Sequence, residues 1–150
     1  MKILNHQITQ FTIMVVIGML FNPMNVLAYQ RSDLYTSLTS FYSGLLMASN
    51  MIWGHEIIHY VSMGHFNVHT FLIGVVLSIL ITFLLLRQQL FVSDKQWLKR
   101  MIGHHSTAIT TTTKLLEDAN NFKNNPKLYR FAKDIVYNQN VEIQFMKTML

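Results

Sequence analysis

The chain of 150 residues contains no cysteine, which excludes a disulfide scaffold and any thiolate metal site. Charge is scarce in its first half. Between Ile3 and Leu86 only Arg31, Asp33 and Glu56 are charged at neutral pH, too few to cover a water-facing surface. Nearly all of the formal net charge of +5 lies after Gln88, where 9 Lys/Arg face 5 Asp/Glu. Those cations are scattered singly among acids without an aromatic stacking pattern, so they read as a solvated face and not as a nucleic-acid site. Several catalytic signatures are absent too: there is no G-x-S-x-G, no phosphate-binding glycine loop, and no second Glu-x-x-His from which to build a di-iron carboxylate bundle. No small-molecule substrate is suggested, and no internal repeat is visible.

What fills the first half is apolar sequence. Residues 11–28 are apolar for about the length of a bilayer core, broken by Asn22, Pro23 and Asn25. The same stretch, with Lys2 before it and Val26-Leu27-Ala28 at its end, also fits a cleaved signal peptide; the length of the run favours a retained span. Residues 34–53 form a second span, rich in small and hydroxyl residues that suit close helix packing. Residues 70–86 form a third, closed by Arg87 at the interface. Residues 1–87 are therefore expected to be a membrane region. Between the second and third spans, Gly54 to His69 holds four His and no Lys or Arg, and Gly64 marks the end of a helix running through Met63.

Residues 93–150 are expected to be a helical hairpin. Ser93-Asp94-Lys95-Gln96 has the spacing of a capping box ahead of the series Trp97, Leu98, Met101, Ile102, His105, Ala108, Ile109. The polar run Asn120 to Asn125 breaks that helix. Asn125-Pro126 then supplies an N-cap and a proline at the first helical position, followed by Leu128, Ala132, Ile135, Gln139, Ile143, Met146 and Leu150 at steps of 3 or 4. Two such helices bury too little alone, so a homodimer forming a four-helix bundle is expected.

On the first helix of the hairpin Met101, His104 and His105 fall at i, i+3, i+4, so one face presents a thioether and two imidazoles. On the returning helix Gln139, Glu142, Met146 and Met149 share a face. An antiparallel hairpin brings Met101 and His104 towards Met146 and Glu142. Imidazole with thioether suits copper, Cu(I) above all; the competing reading is ordinary core packing by Met101, Met146 and His105. A second series, Met47, Met51, His55, His59 and Met63, recurs every four residues and forms a slowly winding stripe on a helix. That stripe reads as packing or as a relay for a soft metal. Within it His55-Glu56-Ile57-Ile58-His59 is a literal H-E-x-x-H, the pattern by which zinc hydrolases bind metal and place a base. Ser62 stands where the metzincin continuation needs Gly, and no third ligand is fixed, so the motif is weak.

Asp94, Trp97, Met101-Ile102, His104-His105-Ser106, Ala108-Ile109, then Ala132, Ile135, Gln139, Glu142-Ile143 and Met146 resemble the domain-of-unknown-function family numbered 305. The resemblance extends upstream to Phe41-Tyr42, Leu46-Met47, Met51 and Arg87-Gln88, as in members with a three-helix membrane region. It implies a ferritin-like helical bundle and, in some members, copper or silver binding connected with metal tolerance. By that resemblance Met101, His104, His105 and Met146 carry over as candidate ligands. Gly103 replaces the family's usual Pro, which is expected to loosen a turn before the His pair, and the run Thr110 to Thr113 stands where many members have a Met.

The expectation is therefore an all-α integral membrane protein: three spanning helices and a C-terminal antiparallel hairpin binding a copper ion through Met101, His104, His105, Glu142, Met146 and Met149. It is not expected to be an enzyme. A non-catalytic self-associating membrane scaffold is the main alternative, and a membrane zinc hydrolase the lesser one. With three spans the positive-inside rule puts Arg31 and the tail in the cytoplasm, whereas a cleaved signal peptide would put the tail outside. Metal binding is expected to depend on the tail rather than on His55 and His59, and to weaken below about pH 6.5 as imidazoles protonate.

Overall fold

The computed structural model describes residues 2–118 and 122–150, with side chains from Ile8 onward. Asn120 and Asn121, part of the expected break in the tail, lie outside the described residues. Every regular element among those described is helical: α1 (Lys2–Leu20), α2 (Pro23–Val26), a 3-10 turn (Arg31–Asp33), α3 (Leu38–Met63), α4 (Val68–Leu80) continued by a π-helix (Ile81–Arg87), α5 (Asp94–Glu117) and α6 (Pro126–Thr148). They make two compact units, residues 1–21 with 38–92 and residues 22–37 with 93–150. The connector 22–37 thus belongs with the tail.

In the first unit α3 packs against both α1 and α4. The first expected span, 11–28, is corrected: α1 stops at Leu20, and a separate short helix follows. The cause is local. Asn22 Oδ1 accepts the N–H groups of Met24 and Asn25 at 3.0 and 3.1 Å, Pro23 takes the first helical position, and the residue before a proline avoids the helical region. The second expected span, 34–53, is shifted. α3 starts at Leu38 and runs 26 residues to Met63, ten residues past the expected end of the span, so that His55 and His59 lie on it. Gly54 meets nothing within 4 Å and costs α3 only its intrinsic propensity. The helix ends at Gly64, whose φ of +67° suits glycine.

Glycine also sets how closely these helices approach. A Cβ on Gly44 would lie 2.6 Å from the Val15 carbonyl oxygen of α1, and one on Gly74 of α4 would lie 2.9 Å from the Trp53 nitrogen of α3. Small residues at crossings are how apolar helices gain dispersion contact where lipid offers no hydrophobic driving force.

One helix among the described residues, Val68–Arg87, is long and apolar enough to cross a bilayer, with 20 residues at a mean hydropathy of 2.5. Ile8–Leu20 is apolar but shorter than a span, and α3 has the length without the apolarity, since hydroxyls, Glu56 and two His interrupt it. Three independent spans are thus not what length and apolarity alone support.

In the second unit α5 and α6 pack along one another. Helices of 24 and 23 residues are each roughly 35 Å long, more than the segment between Glu117 and Pro126 can retrace. They are therefore antiparallel. Their shared core is Leu98, Ile102 and Ile109 of α5 with Ile143 and Met146 of α6, flanked by Tyr35, Met101, Val136 and Leu150. Asn125 caps α6 as expected, accepting the Leu128 N–H at 3.1 Å with Pro126 at the first position. Ser93 occupies the cap of α5 but makes no side-chain cap bond, so the expected capping box does not form.

The connector is tied to this pair by buried polar groups. Asp33, 2% exposed, accepts from Lys147 Nζ at 2.6 Å and from the Ser106 hydroxyl at 2.7 Å. Ser106, fully buried, accepts the Tyr29 N–H at 2.7 Å. Thr107 donates to the Met24 carbonyl at 3.2 Å. Two chain segments more than 70 residues apart in sequence are thereby fixed together.

Candidate metal centre

The inward face of α5 is set by Leu98, Ile102, Ser106 and Ile109, all buried at helical spacing. His105 lies beside that face and turns towards α6; its side chain is 13% exposed. His104, one step further round the helix, is exposed. The face expected to carry Met101, His104 and His105 together is therefore split. Gly103 sits in mid-helix, where an added methyl group would meet nothing within 4 Å, so no turn precedes the His pair and there is none for glycine to loosen.

On α6, Met146 is buried in the common core and Met101 packs against it. Met149 is exposed. Glu142, with its side chain 53% exposed, reaches in to put Oε2 2.9 Å from His105 Nδ1. Helix geometry thus pairs Glu142 with His105 rather than with His104. The carboxylate is the partner of His105 Nδ1, while Gln139 Oε1 is buried with no hydrogen-bond partner among the described residues. A buried polar atom without a partner costs free energy unless something else satisfies it.

The donors brought to the α5–α6 seam are therefore an imidazole, a carboxylate and two thioethers: His105, Glu142, Met101 and Met146. His104 and Met149 stay outside it. The ring centroids of His104 and His105 are 5.8 Å apart, a separation that two imidazoles on one ion can reach with metal–nitrogen bonds of about 2 Å. Among the described residues there is no group of three or more His, Cys, Asp and Glu suited to a metal. The seam suits an ion that accepts thioether sulfur better than one demanding nitrogen and oxygen alone.

Burial holds the His105 pKa below its ordinary value of 6.5; the Glu142 charge opposes this and His104 adds to it. A lowered pKa keeps the imidazole neutral, with a lone pair to donate, further into mild acid than an exposed histidine. It also predicts a sign for stability. The unfolded chain takes up the proton first as pH falls, so His105's contribution is complete above about pH 6.5 and lost progressively below it. Metal-free protein should melt at lower temperature at pH 5.5 than at pH 7.5, and His105→Gln should reduce that difference. A variant with the full pH dependence would put its origin elsewhere.

In the first unit the H-E-x-x-H motif lies on the last turns of α3. The rings of His55 and His59 have centroids 4.2 Å apart. Glu56 is buried, and its Oε2 accepts the Asn67 N–H at 3.0 Å, closing the turn into α4. Asn67 Oδ1 in turn caps the N–H groups of His69 and Thr70. The carboxylate that a zinc hydrolase would use as base is here a turn-closing acceptor. Asp33 and Lys147 stand out by no motif; an isolated acid in an apolar stretch is the one available signal for Asp33.

Residues 85–150 match a family model described as a domain of unknown function (DUF305). An uncharacterized protein of Acanthamoeba polyphaga mimivirus is 34% identical over 131 residues, covering 86% of this chain and 81% of that protein. No solved structure matches significantly.

Proposed function

The chain belongs to the domain-of-unknown-function family DUF305, and from that premise we propose that it is an integral membrane protein whose C-terminal hairpin binds a soft metal ion, copper above all. The observation that carries this is His105: an imidazole kept neutral by burial and held at the α5–α6 seam with Nδ1 2.9 Å from Glu142 Oε2, beside the packed thioethers of Met101 and Met146. His104 and Met149 are exposed at the rim of this set and would add donors from outside. Metal handling or tolerance is the role such a site serves.

The membrane anchor rests on Val68–Arg87, with α1 and α3 packed in the same unit as further membrane-embedded helices. In that multi-pass arrangement the positive charge of Arg31 and of the tail favours the cytoplasmic side.

Metal content of the purified full chain in detergent tests this reading. Reconstituted with Cu(I) under reducing conditions, the protein should bind copper at high affinity, and changing His104 and His105 together to Ala should remove an ion. Metal bound equally well by that variant refutes the tail site. The second reading, a self-associating scaffold, is favoured by the exposed stripe Tyr137, Val141 and Phe145 on α6, on which a second copy would pair. It predicts a crosslinked homodimer that takes up no copper.

A further inference from the structure

Between α1, α3 and α4 the first unit holds a half-open cavity of about 440 Å³, within the size range of small-molecule sites. Phe11 and Met14 of α1 and Met51 of α3 belong to its mainly apolar wall, and Glu56 of α3 lines it too. Glu56 is 8% exposed. Its Oε2 accepts the Asn67 N–H. The other oxygen has no hydrogen-bond partner among the described residues, and none of their ion pairs includes Glu56. Between Asp33 and Arg87 it is the one residue charged at neutral pH. The unit's two cations, Lys2 and Arg87, are end residues of α1 and of the π-helix. A carboxylate in apolar surroundings is costly to keep without a counter-ion, and such residues in membrane helices mark ligand or ion sites.

From this arrangement we infer that the cavity binds a lipophilic organic cation, a quaternary ammonium or phosphonium with an aromatic or branched apolar body, whose charge meets the free oxygen of Glu56. The wall suits that chemistry. Phe11 offers an aromatic face to a cation, and the thioethers of Met14 and Met51 adapt to varied apolar shapes. Gln10 and Thr70, also on the wall, carry no charge to repel it. An inorganic cation would find too few donors, since among the described residues no three His, Cys, Asp or Glu are grouped for a metal. A lipid acyl chain would fill the space and leave the carboxylate uncompensated. The site stands on the first unit alone and is independent of the metal reading of the tail.

The test is equilibrium dialysis of tetraphenylphosphonium against the full chain in phosphatidylcholine nanodiscs, with empty nanodiscs as the baseline. His55 is the other titratable group on the wall, so the buffer is held at about pH 8, above the ordinary histidine range. Saturable binding above the baseline is expected. Glu56→Gln keeps an oxygen for the Asn67 N–H and removes the charge, so helical content by circular dichroism should hold while affinity falls at least about tenfold, the low end for a close charge pair. Phe11→Leu should weaken binding about two- to fivefold, the range of a cation–π contact. Triphenylphosphine oxide, similar in its apolar body but neutral, should bind more weakly than the phosphonium and respond little to Glu56→Gln. Absence of saturable phosphonium binding, or binding that Glu56→Gln leaves unchanged, overturns the inference. Should that variant unfold, the parent decides: phosphonium held no more tightly than the neutral oxide also overturns it. So does a phospholipid retained on the protein that the phosphonium does not displace, which marks the cavity as a lipid site.

Discussion

Asp33→Ala is expected to destabilise the second unit by about 3 kcal/mol, the lower end of what breaking a buried ion pair costs. The substitution strips Lys147 of its carboxylate and leaves the buried Ser106 hydroxyl without its acceptor. The low end applies because Lys147 keeps its side chain 20% exposed and can partly rehydrate. Each unit holds one of the chain's two tryptophans, Trp53 in the first and Trp97 in the second. A Trp53→Phe background therefore reports the second unit alone by fluorescence on denaturant or thermal unfolding. Adding Lys147→Met should recover part of the loss, since the orphaned cation goes with it; a double-mutant cycle measures how much. A change below about 0.5 kcal/mol on Asp33→Ala, the range of an ordinary surface substitution, would show that the connector is not held by this network.

The second large effect concerns α3, where two glycines should respond with opposite signs. Gly44→Ala places a methyl 2.6 Å from the Val15 carbonyl oxygen and 3.2 Å from the Met19 nitrogen. These are backbone atoms that cannot rotate aside, so α1 must shift. The expected cost is about 1–3 kcal/mol, typical of overpacking, and Gly44→Val should cost more. Gly54→Ala meets nothing within 4 Å and should stabilise the helix by about 0.5–1 kcal/mol through lower backbone entropy in the unfolded chain. With Trp97→Phe, fluorescence of Trp53 follows the first unit through both variants. If Gly44→Ala melts with or above the parent, α1 does not dock on α3 at this crossing.

Much of the hairpin is legible because its signals are local. Asn125-Pro126 predicts the start of α6 from capping and a fixed φ, and the 3–4 spacing of Ala132, Ile143 and Met146 marks the buried side. Gly64 announces the end of α3 in the same way, through a backbone conformation that glycine adopts without strain. Asn22 and Pro23 carry the signal that ends α1, but a window of apolarity averages over such punctuation, and the expected span runs through it. Gly54 to Met63 lies beyond the apolar run that marks the expected span, and it continues the same helix because nothing there interrupts it; backbone propensity, not hydropathy, decides that segment.

The candidate centre divides along the same line. Sequence by itself determined which donor types exist, because the absence of cysteine and the spacing of His and Met on helices are properties of the chain alone. It could not assign each imidazole to a side, since adjacent residues on a helix differ by about 100° in direction and only the packing partner says which points inward. Tertiary structure decided that His105 meets Glu142 while His104 faces outward. It alone joined Asp33 to Ser106 and Lys147, and committed Glu56 to closing a turn. Such pairings link residues far apart in the chain, and no local preference encodes them. What selects them is the cost of burying a polar group without a partner, and that cost exists only once the helices have packed.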